Sequence, residues 1–320
     1  MPALLYALGG GWGHLTRAVA LARASLARGI TLRILTNSPY APRIASAIPD
    51  LPLITLRADL PADQARQETL RVIHDAAPDC LIVDTFPRGL GGELATAIEK
   101  LAPKRVLIHR DLNPRYVSSM NLRDFVRRHY DLILIPGEDE GRAFADHPAA
   151  RVTAPWLIPA SGKPAAPEGI LVCAAGDTRE LSWYGKVASL LRARCIAPIC
   201  PPGCPPELWI DHWPAVDLIA SAGVVVGGAG YNTIQECLAY QVPLVARPWP
   251  RQYDRQWLRA RRAAKRGRVI VVRDPEEATS AAREQLRTAR PMNPVKLQNG
   301  AEEAAAILCR FMNQRDDRLE

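Results

Sequence analysis

A histidine closes the stretch LGGGWGH (8–14), and glycines at 9, 10, 11 and 13 leave the backbone ahead of it bare. Glycine loses more freedom on folding than any other residue, so such a cluster implies unusual backbone angles or a ligand lying against the chain. The loop falls between an apolar strand-like run (2–8) and a helical pattern starting near Leu15. A helix start offers unpaired N–H groups and positive partial charge to oxygen-rich ligands. His14 could serve there as a general base or simply brace the loop, with Gly10, Gly11, Trp12, Gly13 and Arg17 around it. The spacing matches neither GxGxxG nor GxxxxGK[ST], so no plain dinucleotide or Walker phosphate site is expected.

A second strand–turn–helix unit lies at VVVGGAGYNTIQE (224–236). Gly227, Gly228, Ala229 and Gly230 form the turn, and Tyr231, Asn232 and Thr233 open the helix. Glu236, further into that helix, could accept two sugar hydroxyls. Pro248 and Pro250 stiffen the next loop, which delivers Gln252, Asp254 and Gln256. These polar groups on a rigid loop suit vicinal hydroxyls, whereas a tight turn with surface polars is the plainer alternative. A third turn, CAAGDTRE (173–180), offers Gly176 and Thr178, with Asp177 either crowding an anion or capping a helix. Asp111 in DLNPRY (111–116) is a second candidate base, and Asp84 also follows a strand; both positions also suit loop caps. No Asp-x-Asp pair or metal-ligand spacing is present, and neither a metal nor another cofactor is expected.

The elements that must hold these loops alternate in the manner of an α/β protein with parallel sheets. Strand patterns occur at 2–8, 31–36, 52–56, 79–84, 105–109 and 131–135, with helical patterns at 15–28, 62–76 and 89–100. Four prolines in APWLIPASGKPAAPEG (154–169) then interrupt the pattern. Alternation resumes with strands at 169–176, the APIC segment, 222–228, the VPLVARP segment and 268–272, and helices at 179–193, 231–240, 254–266 and 299–312. The expected organisation is an N-terminal domain (1–155), a linker (156–168), a second domain (169–298) and a C-terminal helix (299–320) packing back on the first.

A hydrophobic content of 48% and a charged content of 23% describe an ordinary globular chain. The net charge is +8, and the pI is near 9.3. Neither a secretion signal nor an apolar run long enough to cross a bilayer is found, so a cytoplasmic location is expected. Seven cysteines without metal spacing suit reduced structural thiols. The basic stretches RQWLRARRAAKRGR (255–268) and LRDFVRRHY (122–130) leave two readings open. One is transient docking on anionic lipid at the inner membrane face; the other is a solvated helix face. The stretch at 255–268 forms a helix face rather than a motif with interleaved aromatics, so nucleic-acid binding is not expected.

The segment GGAG-YNTIQE-CLAYQVPLVARP-WPRQYDRQ resembles the donor-binding part of GT-B glycosyltransferases with a family 28 type C-terminal domain. It is most similar to the UDP-N-acetylglucosamine transferases of peptidoglycan lipid-precursor synthesis, whose N-terminal glycine loop also ends in His. The resemblance implies two Rossmann-like domains facing each other across a cleft. It also implies an inverting, metal-independent transfer from a nucleoside-diphosphate sugar, a UDP-sugar by this likeness, to an acceptor hydroxyl. By that likeness Glu236 would hold the ribose and residues 228–233 would face the diphosphate. Asp254 and Gln256 would bind the sugar, Ile210 would offer backbone groups to the base, and Arg17 would support a diphosphate or an acidic acceptor. A lipid-linked acceptor would fit the membrane reading. Trp12, Asp177 and Trp257 depart from the pattern of these relatives. A nucleotide-sugar hydrolase on the same scaffold and a non-catalytic nucleotide-sugar-binding protein are the alternatives.

Overall fold

Runs such as LLY (4–6) and LIV (81–83) are apolar on both faces, and they form strands whose residues are fully buried on both sides. A computed structural model describes residues 2–137, 143–162, 168–288 and 298–314. Two compact units result: residues 1–156 with 299–320, and residues 157–298. Residues 163–167 of the proline-rich segment lie outside the described residues.

The first unit runs β1 (Ala3–Tyr6), α1 (Trp12–Leu26), β2 (Leu32–Thr36), α2 (Ala41–Ala47), β3 (Leu53–Thr55), α3 (Ala62–Ala76) and β4 (Cys80–Asp84). It continues with α4 (Ile98–Leu101), β5 (Lys104–Ile108), α5 (Pro114–Ser119), α6 (Leu122–His129), β6 (Leu132–Pro136) and β7 (Ala150–Thr153). The second unit holds β8 (Glu168–Cys173), α7 (Thr178–Leu191), β9 (Arg194–Ile196), β10 (Trp209–Ile210), α8 (Val216–Ile219), β11 (Ala222–Gly228) and α9 (Tyr231–Ala239). After these come β12 (Leu244–Arg247), α10 (Gln256–Ala264), β13 (Val269–Val271) and α11 (Pro275–Thr288), and then α12 (Gly300–Asn313), which returns to the first unit.

Both sheets are wholly parallel, in the orders β3-β2-β1-β4-β5-β6-β7 and β10-β9-β8-β11-β12-β13. Each order reverses direction once, between β1 and β4 and between β8 and β11. The chain leaves in opposite directions from such a pair, which opens a crevice at the carboxyl ends of its strands. The glycine loop at 9–13 and Asp84 sit at the first reversal, and the turns after β8 and β11 sit at the second. In the second unit, Val172, Tyr184, Val226 and Val245 fill one face of the sheet, while Val225, Ile234, Cys237 and Leu244 fill the other.

The helical pattern at 89–100 yields a helix only over Ile98–Leu101. Gly89 and Gly92 adopt φ of +85° and +84°, which breaks the helix. The buried Glu93 instead accepts the Tyr6 hydroxyl at 2.5 Å and the Gly91 N–H at 2.8 Å. The helix expected from Leu15 begins earlier, at Trp12, which places His14 inside its first turn. The second strand of the second unit, sought at APIC, forms just before it at Arg194–Ile196.

α12 is fixed to the first unit at both ends and packs along α1. Asn299 caps its start by accepting the Ala301 N–H, and the Gly300 N–H donates to the Pro155 carbonyl at 2.9 Å. At its end the buried Lys104 ammonium donates to the carbonyls of Phe311, Met312 and Gln314. A Cβ on Gly300 would overlap the Ala154 backbone carbonyl, which cannot swing aside as a side chain would. Gly300→Ala should therefore destabilise the first unit by about 2 kcal/mol or more, read as a lower denaturant midpoint.

Candidate active site

At the first strand reversal, Asp84 ends β4 with its carboxylate buried to 1% exposure. Arg17, also 1% exposed, reaches it from α1: Nε donates to Oδ1 at 3.0 Å, and Nη2 donates to Oδ1 at 2.8 Å and Oδ2 at 2.6 Å. His14, one turn before Arg17, places Nδ1 at 2.6 Å from Oδ2. Burial alone would push the Asp84 carboxyl up, but the Arg17 guanidinium and the His14 hydrogen bond outweigh it and hold the group far below the usual carboxylate range. An ionised Asp84 can only accept, so His14 Nδ1 carries a proton, and in the neutral imidazole the lone pair is then on Nε2. This is the nucleophile-activating geometry of a base oriented by a buried acid.

The surrounding loop serves that imidazole. Gly9, at φ +148°, has no Cβ because the His14 ring lies against its α-carbon. Its N–H is held by Asn37 Oδ1 at 2.8 Å, and Phe86 stacks on the ring at 5.7 Å between centroids. Gly10, Gly11 and Gly13 have open space where a Cβ would stand. Thr85, directly after Asp84, takes φ +70°, a strained conformation for a β-branched residue. Trp12 lies flat on Tyr40, with centroids 4.3 Å apart. Arg17 was expected to face a diphosphate or an acceptor; the structure buries it against Asp84, Thr85 and the Gly13 carbonyl, as a partner of the acid. Asp111 lies beyond β5 and is buried.

At the second reversal, the turn Gly227–Gly230 leads into α9, whose first residue follows Gly230 with no side-chain cap. The Ala229 and Tyr231 side chains point into the core, so the turn presents backbone, while Asn232 and Thr233 are half-buried beside it. Glu236 follows in α9, only 6% exposed, and among the described residues its carboxylate has no hydrogen-bond or ion-pair partner. Burial pushes it up to about 7. An unpartnered buried carboxylate is expensive to keep, which points to a ligand as its partner.

The other expected donor residues are distributed unevenly. Gln256 is buried, and its Oε1 accepts the Trp249 N–H at 2.9 Å, so part of its bonding capacity braces the loop. Asp254 pairs with Arg259 at 2.6 Å, and Gln252 is exposed. Gly176 and Thr178 are exposed on the turn after β8, where Asp177 caps α7 by accepting the Glu180 N–H at 2.9 Å. Ile210 lies in the edge strand β10, and its carbonyl accepts the Ala197 N–H at 3.3 Å. Reading the residues alone missed three features here: the pairing of Asp84 with His14, the Glu180–Arg251 ion pair and the position of Arg247.

Leu122, Phe125 and Val126 of α6 are buried, so its apolar face is spent on the core and only the basic face, with Arg123, Arg127 and Arg128, is exposed. Among the described residues no helix is long and apolar enough to cross a membrane.

Residues 213–313 match the model of the glycosyltransferase family 28 C-terminal domain. Comparison with curated protein sequences gave no match. Similar solved structures include the Streptomyces sp. SF2575 glycosyltransferase SsfS6 complexed with thymidine diphosphate, at 15% identity over 97% of this chain and 99% of that one, with a TM-score of 0.62. Arabidopsis thaliana UGT89C1 complexed with UDP matches at 15% identity over 98% and 100% of the two chains, with a TM-score of 0.61. The UDP-GlcNAc 2-epimerase from Methanocaldococcus jannaschii matches at 12% identity over 97% and 100%, also at 0.61. At such identities the likeness is one of fold. With two parallel Rossmann-like sheets along its length, the chain has the GT-B fold, and its residues 213–313 match the model of the glycosyltransferase family 28 C-terminal domain.

Proposed function

We propose that the protein is a glycosyltransferase that takes a sugar from a nucleoside-diphosphate donor, a UDP-sugar in the first instance, and passes it to an acceptor hydroxyl with inversion. The observation that carries this reading is Glu236, a buried carboxylate without a partner, set behind a bare glycine turn inside the matched family domain. In this reading Glu236 accepts the two ribose hydroxyls, and the backbone of residues 228–233 meets the diphosphate. Asp254 and Gln252 stand at the sugar.

His14 Nε2 takes the proton from the acceptor hydroxyl as it attacks the anomeric carbon. Asp84 stays ionised and steadies the imidazolium that forms. The diphosphate leaves with its charge met by N–H groups and arginine, and no step requires a metal. A lipid-linked acceptor suits the exposed arginines of α6, which would meet an anionic membrane surface.

The test uses UDP, TDP and their sugar conjugates. UDP or TDP at 100 times its dissociation constant should stabilise the protein by about 2.7 kcal/mol, seen as a rise in Tm. No shift with either nucleotide overturns the reading. Rapid release of free sugar from the conjugates without any acceptor would make the protein a hydrolase, and nucleotide binding without turnover in any acceptor mixture would make it a binding protein.

A further inference from the structure

The second unit has two turns at its strand reversal, and they differ in the charge they present. The turn after β8 is filled by acid. Asp177 already accepts the Glu180 N–H at the start of α7. The Glu180 carboxylate lies over Gly176, where any side chain would overlap it, and forms a two-pronged pair with Arg251, of which the second bond is 2.6 Å. An anion approaching that helix start would meet two carboxylates, one of which already engages Arg251, with Arg179 exposed in the first turn of the helix.

The turn after β11 differs. Gly228 pairs in register with Arg247 on the neighbouring parallel strand β12, so the two residues address the same face of the sheet. On that face, the missing Gly228 Cβ would stand 3.2 Å from the Tyr184 hydroxyl, which accepts the Trp249 Nε1–H at 2.9 Å. The Arg247 guanidinium carbon lies 4.7 Å from the centroid of that same Trp249 ring. Arg247 is half-buried, its Nε is sealed from solvent without a hydrogen-bond partner, and no carboxylate pairs with it among the described residues. A guanidinium stacked on an indole, beside a bare glycine and without a counter-charge, is a fixed cation awaiting an anion.

We infer that Arg247 binds the donor's diphosphate, acting with the Gly228–Gly230 turn. This rests on the nucleotide-sugar reading and deepens it: the site's positive charge comes from the end of β12, and the bonding face of the guanidinium is oriented by Trp249 and Tyr184.

The experiment measures affinities of UDP and uridine by calorimetry for the full-length protein and for Arg247→Gln, Arg247→Lys and Glu236→Gln. Arg247→Gln should weaken UDP by about 10- to 100-fold and leave uridine unchanged. Arg247→Lys, which keeps a point charge but loses the planar fork, should recover part of the UDP affinity and none of its own cost should appear with uridine. Equal weakening of UDP and uridine would mean that Arg247 only supports the fold, and unchanged UDP binding would mean that it does not touch phosphate; either result overturns the inference. If Glu236→Gln loses UDP while Arg247→Gln does not, the inference falls and the donor reading stands. If the unaltered protein binds neither UDP nor TDP, both fall.

Discussion

Glu236→Gln should make the ligand-free protein more stable at pH 8 while removing most of its affinity for UDP. Both halves of this result come from one carboxylate. Burial raises Glu236 from its ordinary 4.5 to about 7. A carboxyl whose folded-state value lies above its unfolded value binds more protons folded than unfolded across the interval between the two. Its stability contribution is whole below about 4.5, declines as pH rises, and is gone above about 7. At full ionisation the penalty is roughly 3 kcal/mol. Glutamine carries no charge and escapes that decline, so the variant should match the unaltered protein near pH 4.5 and exceed it by several degrees in Tm at pH 8. A ribose that donates two hydroxyls to the ionised carboxylate repays the burial, at about 1.5–3 kcal/mol per bond to a charged group. UDP affinity should therefore rise with pH up to about 7 and level off, while the variant should bind about 10²-fold more weakly with a flat profile. A variant that is less stable at pH 8 and binds UDP as before would remove Glu236 from the site.

The same residue marks how far the sequence can be read. Its offset from the glycine turn is local, since a strand, a bare turn and a helix in succession fix which residues stand near the helix start. The alternation of buried strands and helices was legible for the same reason, because parallel strands covered on both faces are apolar throughout. Local patterns fail where a residue's partner comes from another strand. Asp84 was visible as an acid after a strand, but only the order β2-β1-β4 brings it beside His14 of α1. Arg17, one helical turn from His14, is a ligand-facing cation by the family resemblance until that order places an acid beneath it. The register of β11 and β12 likewise puts Arg247 beside Gly228, 19 positions away in the chain. The false helix at 89–100 arose differently: its apolar spacing was acceptable, but three glycines and the Glu93–Tyr6 bond give that backbone a better arrangement.

Loss of the His14–Asp84 pair should have the largest effect on turnover. His14→Ala should lower kcat by about 10²- to 10⁴-fold, the usual worth of a positioned base, with UDP affinity unchanged because Glu236 belongs to the other unit. Acid cannot substitute for mutation in this test. With its carboxyl held so low, Asp84 contributes its stability fully at neutral pH and loses it only in strong acid, as pH falls through the depressed value. Asp84→Asn removes the charge that fixes the Nδ1 proton, so turnover should fall to a similar degree. It also leaves the Arg17 guanidinium buried without a counter-charge, which should cost about 3–5 kcal/mol of stability. Those two consequences separate in the double variant Arg17→Gln with Asp84→Asn, which has no buried charge to strand. Stability should then return in large part while kcat stays low. If activity returned together with stability, His14 and Asp84 would be a brace for the glycine loop, and the base would have to be sought elsewhere, with Asp111 the next residue to replace.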